Sequence, residues 1–406
     1  MTGGTAADAS PVQLSVTARA FQLEVREWLA ANAPDELVGV QIPRRRSGEV
    51  KLALDRWGER LGEHGYLCVA WPVEYGGRGL TGVEVALLNE EFHRARVPRI
   101  TRAMGESLVG PSIIAHGTED QKAEFLPRII DGTDRYCQGF SEPGAGSDLA
   151  SLRTKGVLDG DDIVVNGQKV WTSWYWDATM LFCLCRTDAE APKHRGISYV
   201  LIPTERDGKP NGVEFRPIRQ MTGEEHFAET FLSDARAPQF NIIGGLNNGW
   251  RVAMTTLGNE RGGSATTQYT GFESQLRRLI EEARRLGKLD DPQWRDRLAW
   301  AYCNVEVMRY SGLRLLGDLA AGRDPGRGGA ASVNKIRWSE YERRIGELSL
   351  DLLGPEALTV GDDYALGSWQ QTFLTTRTHT IWGGTAEIQR NIIAERVLGL
   401  PKETTT

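Results

Sequence analysis

Apolar positions recur through the first third of the chain at helical spacing. Phe21, Val25, Trp28 and Leu29 fall on one face, which predicts an amphipathic helix stopped by Pro34. The helical pattern runs to about residue 130. It is broken by "IPRRRSGEV", which reads as a loop with three solvated arginines, and by "WPVEYGGRG" (Trp71–Gly79), a turn-rich stretch. From about 131 the period shortens from helix to strand. "DDIVVNGQKVW" sets Asn166-Gly167 between two apolar runs and so predicts a hairpin turn there, because both residues tolerate positive φ. "TMLFCLCRT", "GISYVLIPT", "GVEFRPI" and "AETFLSDARAP" predict further strands. Helical periodicity resumes near Asn247 and persists to about 397. Tyr341, Ile345, Leu348 and Leu352 make one stripe, closed by Gly354-Pro355, and "AGRDPGRGGA" reads as a loop between helices. The expected order is an α-helical domain over residues 12–132, a central antiparallel β-domain over 133–242 and a helical bundle over 243–400. Residues 1–11 and 401–406 are expected to be flexible tails.

Composition narrows the class. A chain of 406 residues is too long for one core of ordinary size. A net charge of −6 argues against nucleic acid or an acidic membrane as partner, and no apolar run is long enough to insert in a bilayer. "MTGGTAADAS" lacks the order of a signal peptide, and five cysteines without framework spacing suggest reduced thiols; together these predict a cytoplasmic protein. Cys183 and Cys185 alternate along a strand with no nearby histidine, so they read as core thiols, and no metal site is expected. Twelve tryptophans are many, and three of them fall within Trp171–Trp176.

Two segments carry candidate chemistry. "SEPGAGSD" (Ser141–Asp148) is no dinucleotide fingerprint, since Leu149 stands where a third glycine is needed. It reads either as a plain turn or as a loop whose main-chain amides and serine hydroxyls approach a flavin edge or a pyrophosphate. "GQKVWTSW" reads either as an aromatic sheet face or as a strand stacking Trp171 on a flat ring, with Thr172 and Ser173 as hydrogen-bonding hydroxyls.

Taken together, "SEPGAGSDLASLRTK", "NGQKVWTS", "GWRVAMTTLGNER" and "GGTAEIQRN", in this order and spacing, resemble the acyl-CoA dehydrogenase family. Upstream "GPSIIAHGTEDQKAEFLPRI" also fits, so the resemblance spans about residues 15 to 400. It implies a helical N-terminal domain, a β-barrel-like middle domain and a C-terminal four-helix bundle, with FAD between them. It further implies removal of an acyl thioester's α-proton while flavin N5 takes a β-hydride, with electrons passed to an electron-transfer flavoprotein. Carried over by position, Gln138, Phe140, Ser141, Gly146 and Ser147 would line the flavin, and Trp171, Thr172 and Ser173 would flank its ring. Thr385 and Glu387 would hold the adenosine half; Ser147, Arg261 and Gly384 would meet the acyl-CoA or acyl-carrier-protein substrate. The assembly implied is a homotetramer or dimer, or a heteromer.

The sequence departs from that pattern at three places. Ala283 stands where the family's cross-subunit arginine would fall, so Arg284 or Arg285 could serve only with a shift, and Asp351 and Gly354-Pro355 replace a glutamine and paired glycines. The third departure is Gly383, where many members carry the catalytic glutamate. Abstraction of the α-proton needs a carboxylate within reach, and glycine has none. Isovaleryl and long-chain members place the glutamate on the helix after the β-domain, before an arginine; here that site reads "LGNERGG", with Glu260 before Arg261. Glycine at 383 keeps the backbone N–H that, in the family, helps hold the thioester oxygen. Glu260 is therefore the expected base, the other reading being a first-turn carboxylate paired with arginine. Two alternatives remain for the whole chain: a flavin-dependent oxidase or monooxygenase on the same fold, and a non-catalytic partner subunit.

Overall fold

The computed structural model describes residues 15–40, 48–262, 268–321 and 329–402, apart from the side chains of residues 260–262, 319, 320 and 363. Helix α1 (Val16–Asn32) starts where Ser15 accepts the Ala18 N–H at 3.1 Å, and it buries Phe21, Val25 and Leu29. Those residues share a core with Leu54, Trp57 and Leu61 of α2 (Gly48–Glu63) and with Leu88 and Phe92 of α3 (Gly82–Ala95). Residues 42–47 of the expected "IPRRRSGEV" loop lie outside the described residues. Gly48–Val50 are helical instead, because the Leu54, Trp57, Leu61 spacing carries α2 back to Gly48. Helices α4 (Gly110–His116) and α5 (Glu119–Asp131) complete this layer, α5 being opened by a Thr118/Gln121 capping box and closed by Gly132 at φ 86°.

The chain then enters a sheet. In chain order its strands are β1 (Tyr136–Gly139), β2 (Lys155–Asp159), β3 (Asp162–Ser173), β4 (Met180–Arg186) and β5 (Ile197–Pro203). A two-residue pair β6 (Glu205–Arg206) and β7 (Lys209–Pro210) follows, then β8 (Val213–Ile218), β9 (Phe227–Pro238) and β10 (Ile242–Ile243). Among the described residues the main sheet runs β10-β5-β4-β2-β3-β9-β8, with β1 parallel to β4. The hairpin expected at Asn166-Gly167 is not there. The turn falls at Gly160-Asp161, where Gly160 takes φ 58°, and Asn166-Gly167 forms a bulge inside β3. The Asn166 side chain stitches that bulge to β9: it donates to Asp234 Oδ1 at 3.0 Å and accepts the Asp234 N–H at 2.8 Å. Cys183 and Cys185 are buried in this sheet's core with Cys137, and burial pushes the Cys183 thiol up to about 11.

Among the described residues the α-helices that follow are α6 (Gly249–Gly262), α7 (Tyr269–Arg285), α8 (Pro292–Ala320), α9 (Ala330–Leu353), α10 (Ser368–Thr376) and α11 (Ala386–Ile392). The Tyr341, Ile345, Leu348, Leu352 stripe of α9 is buried against Leu276 and Leu279 of α7 and Leu298 and Val305 of α8. Gly346 lets α10 approach α9, since a Cβ there would lie 2.9 Å from Phe373 Cα. The expected loop at "AGRDPGRGGA" falls largely on residues 322–328, outside the described residues, as do the expected tail at 1–11 and residues 403–406 of the one expected at 401–406. No helix among the described residues is long and apolar enough to cross a membrane.

Glu342 is buried within this bundle. Desolvation raises its carboxyl to about 7, outweighing the Gln275 hydrogen bond and the Arg278 charge from α7; Tyr341 adjoins it and His379 Nδ1 lies 3.7 Å away. A carboxyl whose folded pKa is raised contributes its stability fully at low pH and loses it as pH rises through about 7. Glu342→Gln, which mimics the protonated form, should therefore gain stability relative to the wild type between pH 5 and pH 8, by up to about 3 kcal/mol. Urea midpoints of both proteins across that range test this, and a constant difference between them would contradict it.

Candidate active site

After β1 the chain folds into a tight turn in which Glu142 and Ala145 exchange both main-chain hydrogen bonds at 3.0 Å. Pro143 and Gly144 stand at its tip. A Cβ on Gly144 or Gly146 would meet nothing within 4 Å, so these glycines face open space and leave main chain accessible to a ligand. Ser147 is exposed beside them, and the Ser141 carbonyl accepts the Val170 N–H at 2.9 Å, which ties the turn to β3.

Beneath the turn sits an ion pair that the sequence reading did not single out. Lys169 of β3 is 0% exposed, and its ammonium donates to Glu142 Oε1 at 2.9 Å and to the Phe140 carbonyl at 3.1 Å. Glu142 also accepts the Arg153 N–H at 2.7 Å and the Thr154 N–H at 2.8 Å. Burial alone would raise the Glu142 carboxyl, but Lys169 and the other donors hold it below the usual carboxylate range.

Two residues along β3 the register shifts again, between Lys169 and Thr172, and Trp171 takes φ 65°. A bulky residue in that region costs of order 1–3 kcal/mol. The bulge leaves Trp171 59% exposed, in edge-to-face contact with Phe227 at 6.0 Å. Ser173 is half-buried on the same strand. Thr172 and Phe140 do not join this surface through their side chains. Thr172 is fully buried and accepts from the Thr230 hydroxyl at 2.8 Å, because the bulge after Lys169 reverses the alternation and turns it inward. The Phe140 ring packs edge-on against Phe182 and Tyr199 in the core; Gln138 is partly exposed on β1.

The C-terminal candidates lie on one turn. Gly383 takes φ 66° and Gly384 φ 91°, the left-handed region that suits glycine, and a Cβ on Gly384 would collide with the Gln389 amide. Gln389 is fully buried and donates to the Gly383 carbonyl at 3.1 Å. No described residue accepts the Gly383 N–H. Thr385 caps α11 by accepting the Ile388 N–H at 3.2 Å, and Glu387 is exposed 3.8 Å from Arg390.

Helix α6 carries the remaining candidates. It is fixed to α4 by Ser112–Thr256 and His116–Thr255 hydrogen bonds, both 2.7 Å. Glu260 occupies the helical position one turn beyond Thr256, with Arg261 next; their side chains lie outside the described residues. Of the cross-subunit candidates, Ala283 is buried, Arg285 is committed to Glu282 and Glu356, and Asp351 lies 3.4 Å from Arg297.

The acyl-CoA dehydrogenase N-terminal, middle and C-terminal domains match residues 16–133, 137–235 and 247–398. The chain is 44% identical over 386 residues to the acyl-CoA dehydrogenase IpdE1 of Mycobacterium tuberculosis (strain ATCC 25618 / H37Rv), covering 94% of this chain and 98% of that protein. The chain belongs to the acyl-CoA dehydrogenase family. It is an oxidoreductase of a flavoprotein family with three-domain architecture, as the motifs implied. It is also similar to mitochondrial isovaleryl-CoA dehydrogenase of Pongo abelii, at 31% identity over 59% of this chain and 56% of that protein. Among solved structures, the "Tcur3481-Tcur3483 steroid ACAD" matches with a TM-score of 0.78 at 30% identity, covering 96% of this chain and 99% of that one. The ChsE4-ChsE5 complex from Mycobacterium tuberculosis matches at 0.77 and 31%, covering 97% and 100%.

What the sequence reading missed in this dehydrogenase are the buried polar residues that hold the site: Glu142, Lys169 and Gln389. The available signal was Lys169 itself, a charge at the same strand spacing as the buried apolar Ile163 and Val165 of β3. Lys169→Met should destabilise the protein by about 3–5 kcal/mol, because it strands a buried carboxylate. Adding Glu142→Gln should recover part of that loss. Urea unfolding of both variants measures it; a neutral single variant would show that the pair does not hold the turn.

Proposed function

We propose that this chain performs the α,β-dehydrogenation of an acyl thioester with FAD, using Glu260 as base. The observation that supports this most directly is the Gly383 peptide: its carbonyl is held by Gln389, and among the described residues its N–H has no acceptor. Such an N–H is a preorganised donor to the thioester oxygen as charge gathers there. Glu260, on α6, takes the proton from the α-carbon. The open main chain at Gly144 and Gly146 and the exposed Trp171 face fit a flat ring bearing phosphates. Ser141, Gly146, Ser147, Trp171 and Ser173 would hold it, with main-chain contacts from Gln138 and Phe140, while Thr385 and Glu387 hold its adenosine end. FAD, when bound, supplies the oxidant that accepts the β-hydride, and an electron-transfer flavoprotein is the proposed next acceptor. Arg261, Ser147 and Gly384 are assigned to the substrate.

Two of the similar structures extend the reading. One is called a steroid dehydrogenase of two named components and the other is a two-component complex. We assign this chain a bulky polycyclic acyl-CoA, such as a steroid-derived one, and a homologous partner subunit. The partner is favoured by buried Ala283, at the position of the usual cross-subunit arginine, and by the ion pairs that engage Arg285, its shifted substitute, and Asp351, which stands for a family glutamine. The test is anaerobic flavin reduction by a panel of linear, branched and steroid-derived acyl-CoAs, with wild type and Glu260→Gln, each purified with any copurifying homologue. Reduction should be fastest with the polycyclic substrates and fall about 100- to 10,000-fold in the variant. An unchanged rate in Glu260→Gln removes Glu260 as the base, and rapid oxygen consumption by the reduced enzyme would favour an oxidase instead.

A further inference from the structure

Three side chains along one face of α9 grip the turn that carries Gly383. Lys335, Trp338 and Glu342 stand at positions i, i+3 and i+7, which share a face of a helix. Lys335 is only 4% exposed, and its ammonium donates to the His379 carbonyl at 2.9 Å. Trp338 packs against the His379 ring at 5.3 Å and the Trp382 ring at 5.6 Å, and Glu342 reaches within 3.7 Å of His379 Nδ1. His379 and Trp382 in turn meet edge to face at 5.5 Å.

As a packing residue alone, Lys335 is a poor choice. Burial works against its charge and lowers its pKa, with Glu340 and Glu387 only partly offsetting that. Methionine would fill similar volume without desolvating an ammonium. What the ammonium adds is a fixed carbonyl at His379, four residues before Gly383. At the far end Gln389 fixes the carbonyl of Gly383 itself. The segment is thus held by its carbonyls at both ends, and the intervening Trp382 is packed on α9.

We propose that Lys335 is a positioning residue for the reaction: by anchoring the His379 carbonyl it keeps the Gly383 N–H in one orientation while the thioester oxygen gains charge. The inference rests on the reading of the Gly383 N–H as oxyanion donor. A donor that is already oriented pays no reorganisation as charge develops, so loosening it affects turnover more than substrate binding.

The experiment compares full-length wild type, Lys335→Met and Lys335→Arg, with any copurifying partner, by two readouts. Amide hydrogen exchange of the 378–385 segment should be at least about tenfold faster in Lys335→Met, with the rest of α9 unchanged. In steady-state kinetics kcat should fall about 10- to 100-fold with KM within about threefold, and Lys335→Arg, which keeps a donor, should recover part of kcat. If Lys335→Met does not yield folded protein, Trp338→Leu is judged by the same readouts, since it loosens the same grip without taking the hydrogen-bond donor from the His379 carbonyl. Unchanged exchange in an active enzyme overturns the positioning role alone, and so does faster exchange with unchanged kcat. A wild type that reduces its flavin with no acyl-CoA overturns the functional reading, and this inference with it.

Discussion

The site depends on one buried charge. Lys169 has no access to water, so its ammonium must find its partners inside the protein. It takes them from Glu142 and the Phe140 carbonyl, on either side of Ser141. Those contacts fix where the turn leaves β1, and Glu142 passes the constraint on to the Arg153 and Thr154 amides beyond the turn. Gly144 and Gly146 can then stay open and free of packing duty, because the rigidity is supplied from below. The Trp171 bulge begins just beyond the same lysine, so the loop and the exposed aromatic face share one anchor.

The C-terminal turn follows the same physical logic with different residues. Lys335 and Gln389 are nearly or fully buried donors, and each meets a main-chain carbonyl in place of a side chain. A buried donor of this kind commits a peptide group to one orientation, since breaking the bond leaves a polar atom without water. In both places the open surface is backbone and glycine, and the charged or amide side chains lie behind it. The arrangement keeps specificity-bearing groups off the supporting scaffold.

The fold class was legible because it rests on periodicity. The α1 and α9 stripes and the strand runs obey the 3.6 and 2 spacings, and the structure buries them as that spacing requires. Asn166-Gly167 misled because the dipeptide that suits a turn also suits a bulge; only the partner strand, through Asp234, decides between them. The motif sets Thr172 beside Trp171, but the bulge after Lys169 turns it inward to Thr230. Glu142, Lys169, Lys335 and Gln389 were passed over for a different reason. Their roles lie in main-chain groups far along the chain or across a turn, and no local pattern announces which carbonyl a lysine will meet.

Gly383 shows why a carboxylate can leave this turn without the turn losing its place in the proposed chemistry. At φ 66° the backbone sits where a β-carbon is disfavoured by about 1 kcal/mol or more, so glycine here relieves the turn of that strain. The peptide is held through its carbonyl, not through any side chain at 383, so the N–H does not depend on what that residue carries. The proposed base, by contrast, needs a carboxylate side chain, and α6, anchored at Thr255 and Thr256, carries the Glu260 position one turn further on. Under this division the electrophilic and basic halves of the site sit on separately anchored elements, α6 against α4 and the turn against α9. The α-proton and the thioester oxygen are a fixed few bonds apart in every acyl thioester, so the proposed chemistry requires these two anchors to hold base and N–H at that one spacing, whatever acyl group is bound.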